Sequence, residues 1–205
     1  ITNDGTRGDK VAEKLGIPHK KIRFWMNGVD NSIYEPNFDR EVFKQKFDIP
    51  SETKIILVAS RLDNWKRVDR IIEAMPSICS TDKNVMCVIA GDGAQRKNLE
   101  TLSKELGVAS QVKFMGVVPH NEITEYMNSA DIFISLNDLT NVSNSVLEAM
   151  TCGKCDVALD VGGTAEIIRD FENGILLKRE ALAKLPYIIN MLLSNTELRE
   201  QLGRN

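Results

Sequence analysis

Short apolar runs alternate with amphipathic segments along most of the chain. The runs carry apolar residues at nearly every position and are Lys54–Ala59, Val85–Ala90, Val112–Met115, Asp131–Leu136, Asp156–Leu159 and Gly174–Leu177. A strand that is apolar on both faces is covered by helices on both sides, which is typical of a parallel sheet. The pattern therefore predicts about six parallel strands.

Between these runs, apolar residues recur at intervals of three and four, which is the spacing of one helix face. Such stripes lie within Val68–Ile78, Leu99–Leu106, Ile123–Met127 and Val146–Met150. The segment from Glu180 to Leu202 is also helical in pattern, but it contains Pro186, which either kinks a helix or begins a new one. Because strand and helix alternate throughout, we expect an α/β fold, a Rossmann-like doubly wound sheet with helices on both faces.

The first fifty residues fit this alternation less well. They suggest a helix over Asp9–Leu15 closed by Gly16, a strand over Ile22–Trp25 with a turn at Asn27-Gly28, and a helix over Phe38–Phe47. We therefore predict an interdomain connector with lead-in elements over residues 1–50, and one sheet domain over residues 51–205.

Composition and charge exclude several classes of protein. Lys and Arg number 26 against 29 Asp and Glu, a net charge of −3, whereas nucleic-acid-binding modules usually carry a basic surplus. No apolar stretch approaches the ~18 residues of a membrane span. The N-terminal residues lack the basic and apolar regions of a signal peptide. The four cysteines are too few for a disulfide framework and fit a reducing compartment, so we expect a cytoplasmic protein without a nucleic-acid partner.

Open parallel sheets bind ligands beyond the carboxyl ends of their strands. The loop after the first strand, Ser60–Arg67, places Arg61, Lys66 and Arg67 just before the next helix. There, cationic side chains and helix N–H groups can converge on phosphate oxygens. A solvated basic loop is the alternative interpretation.

The loop after the fourth strand, Asn137–Ser145, leads into a helix that carries Glu148. Ser143 or Asn144 is a good N-cap, so the following N–H groups face an anion site. Glu148 can accept hydrogen bonds from a vicinal diol such as a ribose, or it can simply stabilise the helix dipole. After the fifth strand, Gly162-Gly163 permit either close backbone approach to a ligand or tight packing of strand and helix.

Several short segments follow one another along the chain in a characteristic order. They are Leu15–Pro18, Asn27–Asp30, Ser60–Lys66, Ala90–Gly93, Phe114–Gly116, Val146–Met150, Val161–Glu166 and Glu172–Gly174. Their order and spacing resemble the C-terminal half of a retaining glycosyltransferase of the GT-B fold, of the group 1 or glycosyltransferase family 4 type. In that family an N-terminal domain binds the acceptor and a C-terminal domain binds a nucleotide-sugar donor. The resemblance covers nearly the whole chain and implies the donor-binding half, with the N-terminal acceptor domain of the same protein missing.

The resemblance also implies roles for the loop residues. The family residues corresponding to Arg61 and Lys66 hold the donor diphosphate without a metal, and their charge stabilises the departing nucleoside diphosphate, so both are candidate catalytic residues. The residue corresponding to Glu148 holds the ribose, and the loop around Gly116 and Val117 lies near the base. The other candidate donor-binding residues are Thr140, Asn141, Ser143, Asn144 and Ser145. Front-face attack needs no protein nucleophile, and we expect neither a metal site nor a cofactor.

The chain departs from the family motif at three positions, Ser60, Arg67 and Thr140. Thr140 stands where the family has a Glu, eight positions before the ribose-binding Glu, and this leaves the donor-sugar contacts open. Gly is often found where Ser60 and Arg67 stand, which affects the shape of the loop. A sugar-nucleotide epimerase of the same fold and a non-catalytic homologue that binds a nucleotide sugar or a protein partner remain alternatives. We expect the chain alone to bind a nucleoside diphosphate without transferring a sugar, and peripheral contact with the inner membrane face through the missing half stays open.

Two further motifs do not support a function. Cys152 and Cys155 have the spacing of a redox or zinc pair, but they follow a helix C-terminus, where the dipole opposes a thiolate. Zinc would need two more ligands. Gly91-Asp92-Gly93 begins a dinucleotide fingerprint, but Arg96 occupies its third glycine position, which argues against NAD.

Overall fold

The structure is a computed structural model that describes residues 11–23, 27–30 and 38–205. The predicted helix over Asp9–Leu15 and the predicted strand over Ile22–Trp25 therefore lie partly outside the described residues. Gly16 ends the helical turn at residues 11–14 with a φ of 67°, the left-handed conformation predicted for a C-cap.

Six parallel strands form the sheet of the described chain. They are β1 (Lys54–Ala59), β2 (Val85–Ala90), β3 (Val112–Gly116), β4 (Ile132–Ser135), β5 (Cys155–Leu159) and β6 (Ile175–Leu177). Their order in the sheet is β3-β2-β1-β4-β5-β6, so β1 lies between β2 and β4. The predicted strands are confirmed to within about one residue at each end, because each run of apolar residues stops at polar residues or glycine.

Helices connect and flank the strands. They are α1 (Arg40–Lys46), α2 (Asp69–Thr81), α3 (Arg96–Glu105), α4 (Ile123–Ser129), α5 (Asn144–Thr151), α6 (Leu185–Ser194) and α7 (Thr196–Arg204). Pro186 lies in the first turn of α6 and so begins a new helix, where its missing N–H has no intrahelical partner to lose.

Two apolar clusters cover the two faces of the sheet. On one face, α2, α3, α6 and α7 pack against β-strand residues, and Ile56, Ile72 and Met75 are fully buried there. On the other face, α1, α4 and α5 pack around Phe43 and Tyr126, whose ring centroids are 4.9 Å apart. The predicted doubly wound α/β fold is confirmed, and α1 of the lead-in segment contributes to its core.

Asp131 joins three elements at the amino-terminal edge of the sheet. Its carboxylate, which is 7% exposed, forms an ion pair with Arg40 of α1 and lies 3.5 Å from Nη2 of Arg199 in α7. It also accepts a hydrogen bond of 2.8 Å from the backbone N–H of Ile55. This cluster fixes α1 and α7 to the edge opposite the strand carboxyl ends.

Within the described ranges, we find no helix that combines the length and the apolar character needed to cross a membrane.

Candidate functional site

An open cleft of about 520 Å³ lies at the carboxyl ends of β1 and β4. The loop after β1, the loop after β4, the first turns of α5 and Asn27 form its walls. Seven predicted site residues line it: Lys66, Thr140, Asn141, Ser143, Asn144, Ser145 and Glu148. The topology brings them together because the carboxyl ends of neighbouring parallel strands share one edge of the sheet.

Three predicted site residues lie outside the lining of this cleft. The side chain of Arg61 is 80% exposed, and its Nη2 atom lies 3.2 Å from Oδ2 of Asp63. Gly116 ends β3, and Val117 is exposed in the loop that follows. Their roles in donor binding remain predictions.

Lys66 is held in a short 3-10 helix, Asn64–Lys66, that follows β1. Its Nζ atom lies 4.3 Å from the centre of the Trp65 ring, a cation–π contact. Burial lowers the pKa of Lys66. An ammonium group that has lost part of its hydration interacts strongly with an anion that enters the cleft.

The start of α5 is open toward the same cleft. Ser143 occupies the N-cap position with an extended backbone, but its side chain accepts no hydrogen bond from the first turn. Its Oγ instead lies 3.1 Å from Oγ of Ser145. Asn27 Nδ2 donates a 2.6 Å hydrogen bond to Oδ1 of Asn144 and so anchors the lead-in segment here. The first N–H groups of α5, together with its dipole, favour an anion at this position.

Glu148 lies one turn along α5 and lines the cleft. Among the described residues, none makes a hydrogen bond or ion pair with its carboxylate. Glu148 is also the one carboxylate in the described lining. It is therefore free to accept hydrogen bonds from a ligand.

Gly162 brings the loop after β5 against the loop after β4. Its φ is 58°, and a Cβ atom there would lie 1.7 Å from the backbone oxygen of Thr140. A Cβ atom on Gly163 would lie 3.0 Å from Val142. The sequence allowed approach to a ligand or packing of strand and helix, whereas the structure brings both glycines against the loop after β4, where they support the wall of the cleft.

An ion cluster around Asp138, next to the cleft, was not predicted from the sequence. The Asp138 carboxylate accepts hydrogen bonds from Arg67 at 2.9 Å, from Arg70 at 2.7 Å and from Arg179 at 2.7 Å. Burial raises the pKa of Asp138, but the hydrogen bonds from Arg67, Arg70 and Arg179 more than offset this effect and bring it to about 2. Asp138 and Arg179 are distant in sequence from each other and from Arg67 and Arg70, so no local pattern marks the cluster.

The two motifs set aside earlier have structural roles. Cys152 and Cys155 are buried thiols that form no disulfide bond, and burial raises the pKa of these thiols to about 11 and about 12. Such thiols are poor nucleophiles near neutral pH. Gly91 has a φ of 149°, and a Cβ atom there would lie 1.8 Å from the Ser60 oxygen, so it permits contact between two loops. Across residues 11–23, 27–30 and 38–205, no group of three or more His, Cys, Asp or Glu side chains is arranged to hold a metal ion.

Comparison with known proteins gives consistent matches. Residues 39–205 match the family model described as glycosyl transferases group 1. An uncharacterized glycosyltransferase of Methanocaldococcus jannaschii is 29% identical over 208 residues, covering 100% of this chain and 53% of the relative. The chain thus spans about half the length of this relative.

Two solved structures share the fold. One is the C-terminal domain of the group 1 family protein LpcC from Francisella tularensis, with a TM-score of 0.78, 27% identity, and coverage of 87% of this chain and 94% of that chain. The other is Anabaena HepE in complex with UDP-glucose, with a TM-score of 0.87, 24% identity, and coverage of 98% of this chain and 56% of that chain.

Proposed function

Because this chain belongs to the group 1 glycosyl transferase family, we propose that it is the donor-binding half of a retaining glycosyltransferase. The cleft beyond β1 and β4 binds a nucleoside-diphosphate sugar. The complete enzyme transfers the sugar to a glycan, lipid or small-molecule acceptor that another domain holds.

One observation carries this proposal: the Lys66 side chain, the open start of α5 and the Glu148 carboxylate line a single cleft. The diphosphate lies between the Lys66 ammonium and the N–H groups at the start of α5. Glu148 follows one helical turn later, a rise of ~5.4 Å. A ribose attached to that diphosphate is therefore within reach of the Glu148 carboxylate.

The chemistry of the step requires these charges. When the bond between sugar and phosphate breaks, negative charge grows on the departing nucleoside diphosphate. Lys66 and the dipole of α5 are already oriented toward that charge, and they stabilise it without further reorganisation. In our proposal the Arg61 guanidinium leaves Asp63 and adds a second cation. The acceptor attacks from the face that the leaving group departs from, so no protein nucleophile is needed.

UDP is the first nucleotide to test, because HepE binds UDP-glucose on the same fold. Thr140 lines the cleft where the family motif has a carboxylate. In our proposal the Thr140 hydroxyl contacts the donor sugar as a neutral hydrogen-bonding group. The binding affinities of UDP-sugars that differ in the orientation of their hydroxyl groups should therefore be compared with the affinity of UDP itself.

Substitution of Glu148 tests whether its carboxylate binds the ribose of the nucleotide. Calorimetric titration should show that Glu148→Gln weakens UDP binding by ~10- to 150-fold, since a hydrogen bond to a charged group contributes ~1.5–3 kcal/mol. Inorganic pyrophosphate, which has no ribose, should bind almost as tightly as before. Glu125→Gln on α4, which lies outside the cleft lining, is the control and should bind both ligands normally. Equal losses of affinity for UDP and pyrophosphate would reduce Glu148 to a structural residue of the helix.

Product analysis with the complete protein separates the alternatives. A glycosyltransferase releases UDP from a UDP-sugar only when an acceptor or water takes the sugar. An epimerase converts the UDP-sugar into its isomer without any acceptor. A non-catalytic homologue binds the UDP-sugar and forms neither product.

A further inference from the structure

Both chain neighbours of Lys66 are held by Asp138. The backbone N–H of Asp138 donates a 2.8 Å hydrogen bond to the backbone oxygen of Trp65. Its carboxylate oxygen Oδ2 accepts a 2.9 Å hydrogen bond from Nη1 of Arg67. The short segment that carries the Lys66 ammonium is thus fixed on each side of Lys66 by one residue of the opposite loop.

Arg67 transmits this constraint to the backbone. It has a φ of 49°, a left-handed conformation that is uncommon for a residue other than glycine. Its guanidinium also donates to Asp69, with Nη2 2.7 Å from Oδ2. Two carboxylates therefore hold the side chain of the residue whose backbone turns the chain immediately after Lys66.

Asp138 also fixes the other wall of the cleft. Arg70 donates to Asp138 Oδ1 at 2.7 Å and to the backbone oxygen of Leu136 at 2.7 Å, which anchors the end of β4. The loop that continues from Asp138 supplies residues 139–143 of the cleft lining and leads directly into α5. Asp138 thus links the segment that carries Lys66 to the loop that leads into α5.

From this arrangement we infer that Asp138 is a positioning residue, which holds the Lys66 ammonium opposite the start of α5 so that both bind one diphosphate. The inference rests on the proposed function, because it assumes that Lys66 contacts the diphosphate. Asp138 itself does not line the cleft, so it acts through Lys66.

A purely structural ion cluster predicts a different result. Loss of such a cluster lowers the melting temperature and affects ligand binding equally whether or not Lys66 is present. A positioning residue affects UDP affinity only when the side chain that it positions is there. A double-mutant cycle separates the two cases.

The experiment measures UDP affinity by calorimetry, and melting temperature, for four proteins: wild type, Asp138→Asn, Lys66→Ala and the double variant. We expect Asp138→Asn to weaken UDP binding about tenfold when Lys66 is present and less than about twofold when it is alanine. The fall in melting temperature caused by Asp138→Asn should be similar in both backgrounds.

Asp82→Asn is the matched control. Asp82 has a side-chain exposure of 28% against 29% for Asp138, and it also pairs with a cation, Lys54 at 2.9 Å. It lies just before β2, at the edge of the sheet opposite the cleft. This variant should leave UDP affinity unchanged in both backgrounds.

The outcomes distinguish this inference from the proposed function. Equal losses of affinity in both backgrounds, or unchanged UDP affinity in Asp138→Asn, would overturn the role of Asp138 while a loss in Lys66→Ala leaves the proposed function standing. If Lys66→Ala binds UDP as tightly as wild type, both fail. Should Asp138→Asn not fold, Arg67→Gln replaces it, because Arg67 does not line the cleft and its effect on affinity should depend on Lys66 in the same way.

Discussion

Asp156 carries a carboxyl group into the interior of the sheet. It lies on β5, is fully buried, and pairs in register with Phe133 of β4. Among the described residues, neither of its carboxylate oxygens has a hydrogen-bond partner. Burial raises the pKa of Asp156 well above its usual value. The folded state therefore favours the neutral carboxylic acid.

We expect this carboxyl group to make stability depend on pH. The pKa of Asp156 is higher in the folded state than in the unfolded state, where it is ~3.9, so the folded protein binds the proton more tightly. The stability that this tighter proton binding contributes is complete below pH ~3.9 and is lost as the pH rises through the folded-state pKa. Asp156→Val should remove this loss and raise the free energy of unfolding at pH 7 by ~1–3 kcal/mol.

Urea unfolding at several pH values tests this expectation. The difference in free energy of unfolding between Asp156→Val and wild type should grow from pH 4 to pH 8. Asp160→Asn, at an exposed position just after the same strand, is the control and should show the wild-type dependence. A constant difference at all pH values would contradict the assignment.

Lys66 should affect catalysis more than it affects ground-state binding. Lys66→Ala removes a cation from a cleft that limits screening, so the cost in UDP affinity should exceed the ~0–1 kcal/mol of a surface ion pair. Because charge grows on the leaving group, kcat of the complete enzyme should fall more steeply than KM rises. Lys66→Arg should recover only part of the activity, since a planar fork replaces a compact charge.

The control for this variant is Lys54→Ala, which removes a partly exposed lysine at the amino-terminal start of β1. Steady-state kinetics should be normal for it. Unchanged kcat and donor affinity in Lys66→Ala would return Lys66 to the interpretation as a solvated loop residue.

Among the elements, the strands and most of the cleft could be predicted because local patterns specify them. Each strand is an apolar run with a clear end, and the topology of a parallel sheet then places the loops after β1 and β4 side by side. The open start of α5 follows from Ser143 at the N-cap position. The position of the cleft is therefore encoded in local patterns of the sequence.

Contacts between distant segments could not be predicted in this way. The cluster around Asp138 joins residues that follow three different strands, β1, β4 and β6, and the Asn27–Asn144 hydrogen bond joins positions 117 residues apart. Neither has a periodic signal. The backbone at Arg67 adopts a left-handed conformation, which glycine adopts without strain, and two carboxylates hold the Arg67 side chain in this chain.

The contact between the loops after β4 and β5 predicts the effect of a methyl group. Gly162→Ala should destabilise the protein by several kcal/mol, because it combines a left-handed backbone, which alone costs ~1–2 kcal/mol, with a clash against the Thr140 oxygen. UDP affinity should also fall, since the clash displaces the loop after β4, which lines the cleft.

Gly107→Ala is the control that measures backbone strain without a steric clash. Gly107 has a φ of 70°, close to that of Gly162, but nothing lies within 4 Å of the added Cβ atom. Chemical unfolding should therefore show a loss of only ~1–2 kcal/mol, with normal UDP binding. If both alanine variants lose the same free energy, the steric contact is unimportant.

For the whole domain, we expect donor binding without a divalent metal. Lys66 and the start of α5 provide the positive charge that a metal supplies to the diphosphate in other enzymes. UDP at ~100 times its dissociation constant should raise the free energy of unfolding by ~2.7 kcal/mol, with or without EDTA. The rise in free energy of unfolding with GDP or ADP at the same concentration shows which base the site prefers. A stabilisation that EDTA abolishes and Mg²⁺ or Mn²⁺ restores would show that the site needs a metal.

The strand order β3-β2-β1-β4-β5-β6 has a consequence for synthesis on the ribosome. The central strand β1 is made first, β2 and β3 extend one side, and β4, β5 and β6 then extend the other. Each new strand therefore joins a partner that has already been translated, and none of the six has to enter between two strands already paired. The ion cluster around Asp131 is completed only after the sheet, because Arg199 lies in α7 and leaves the ribosome after all six strands.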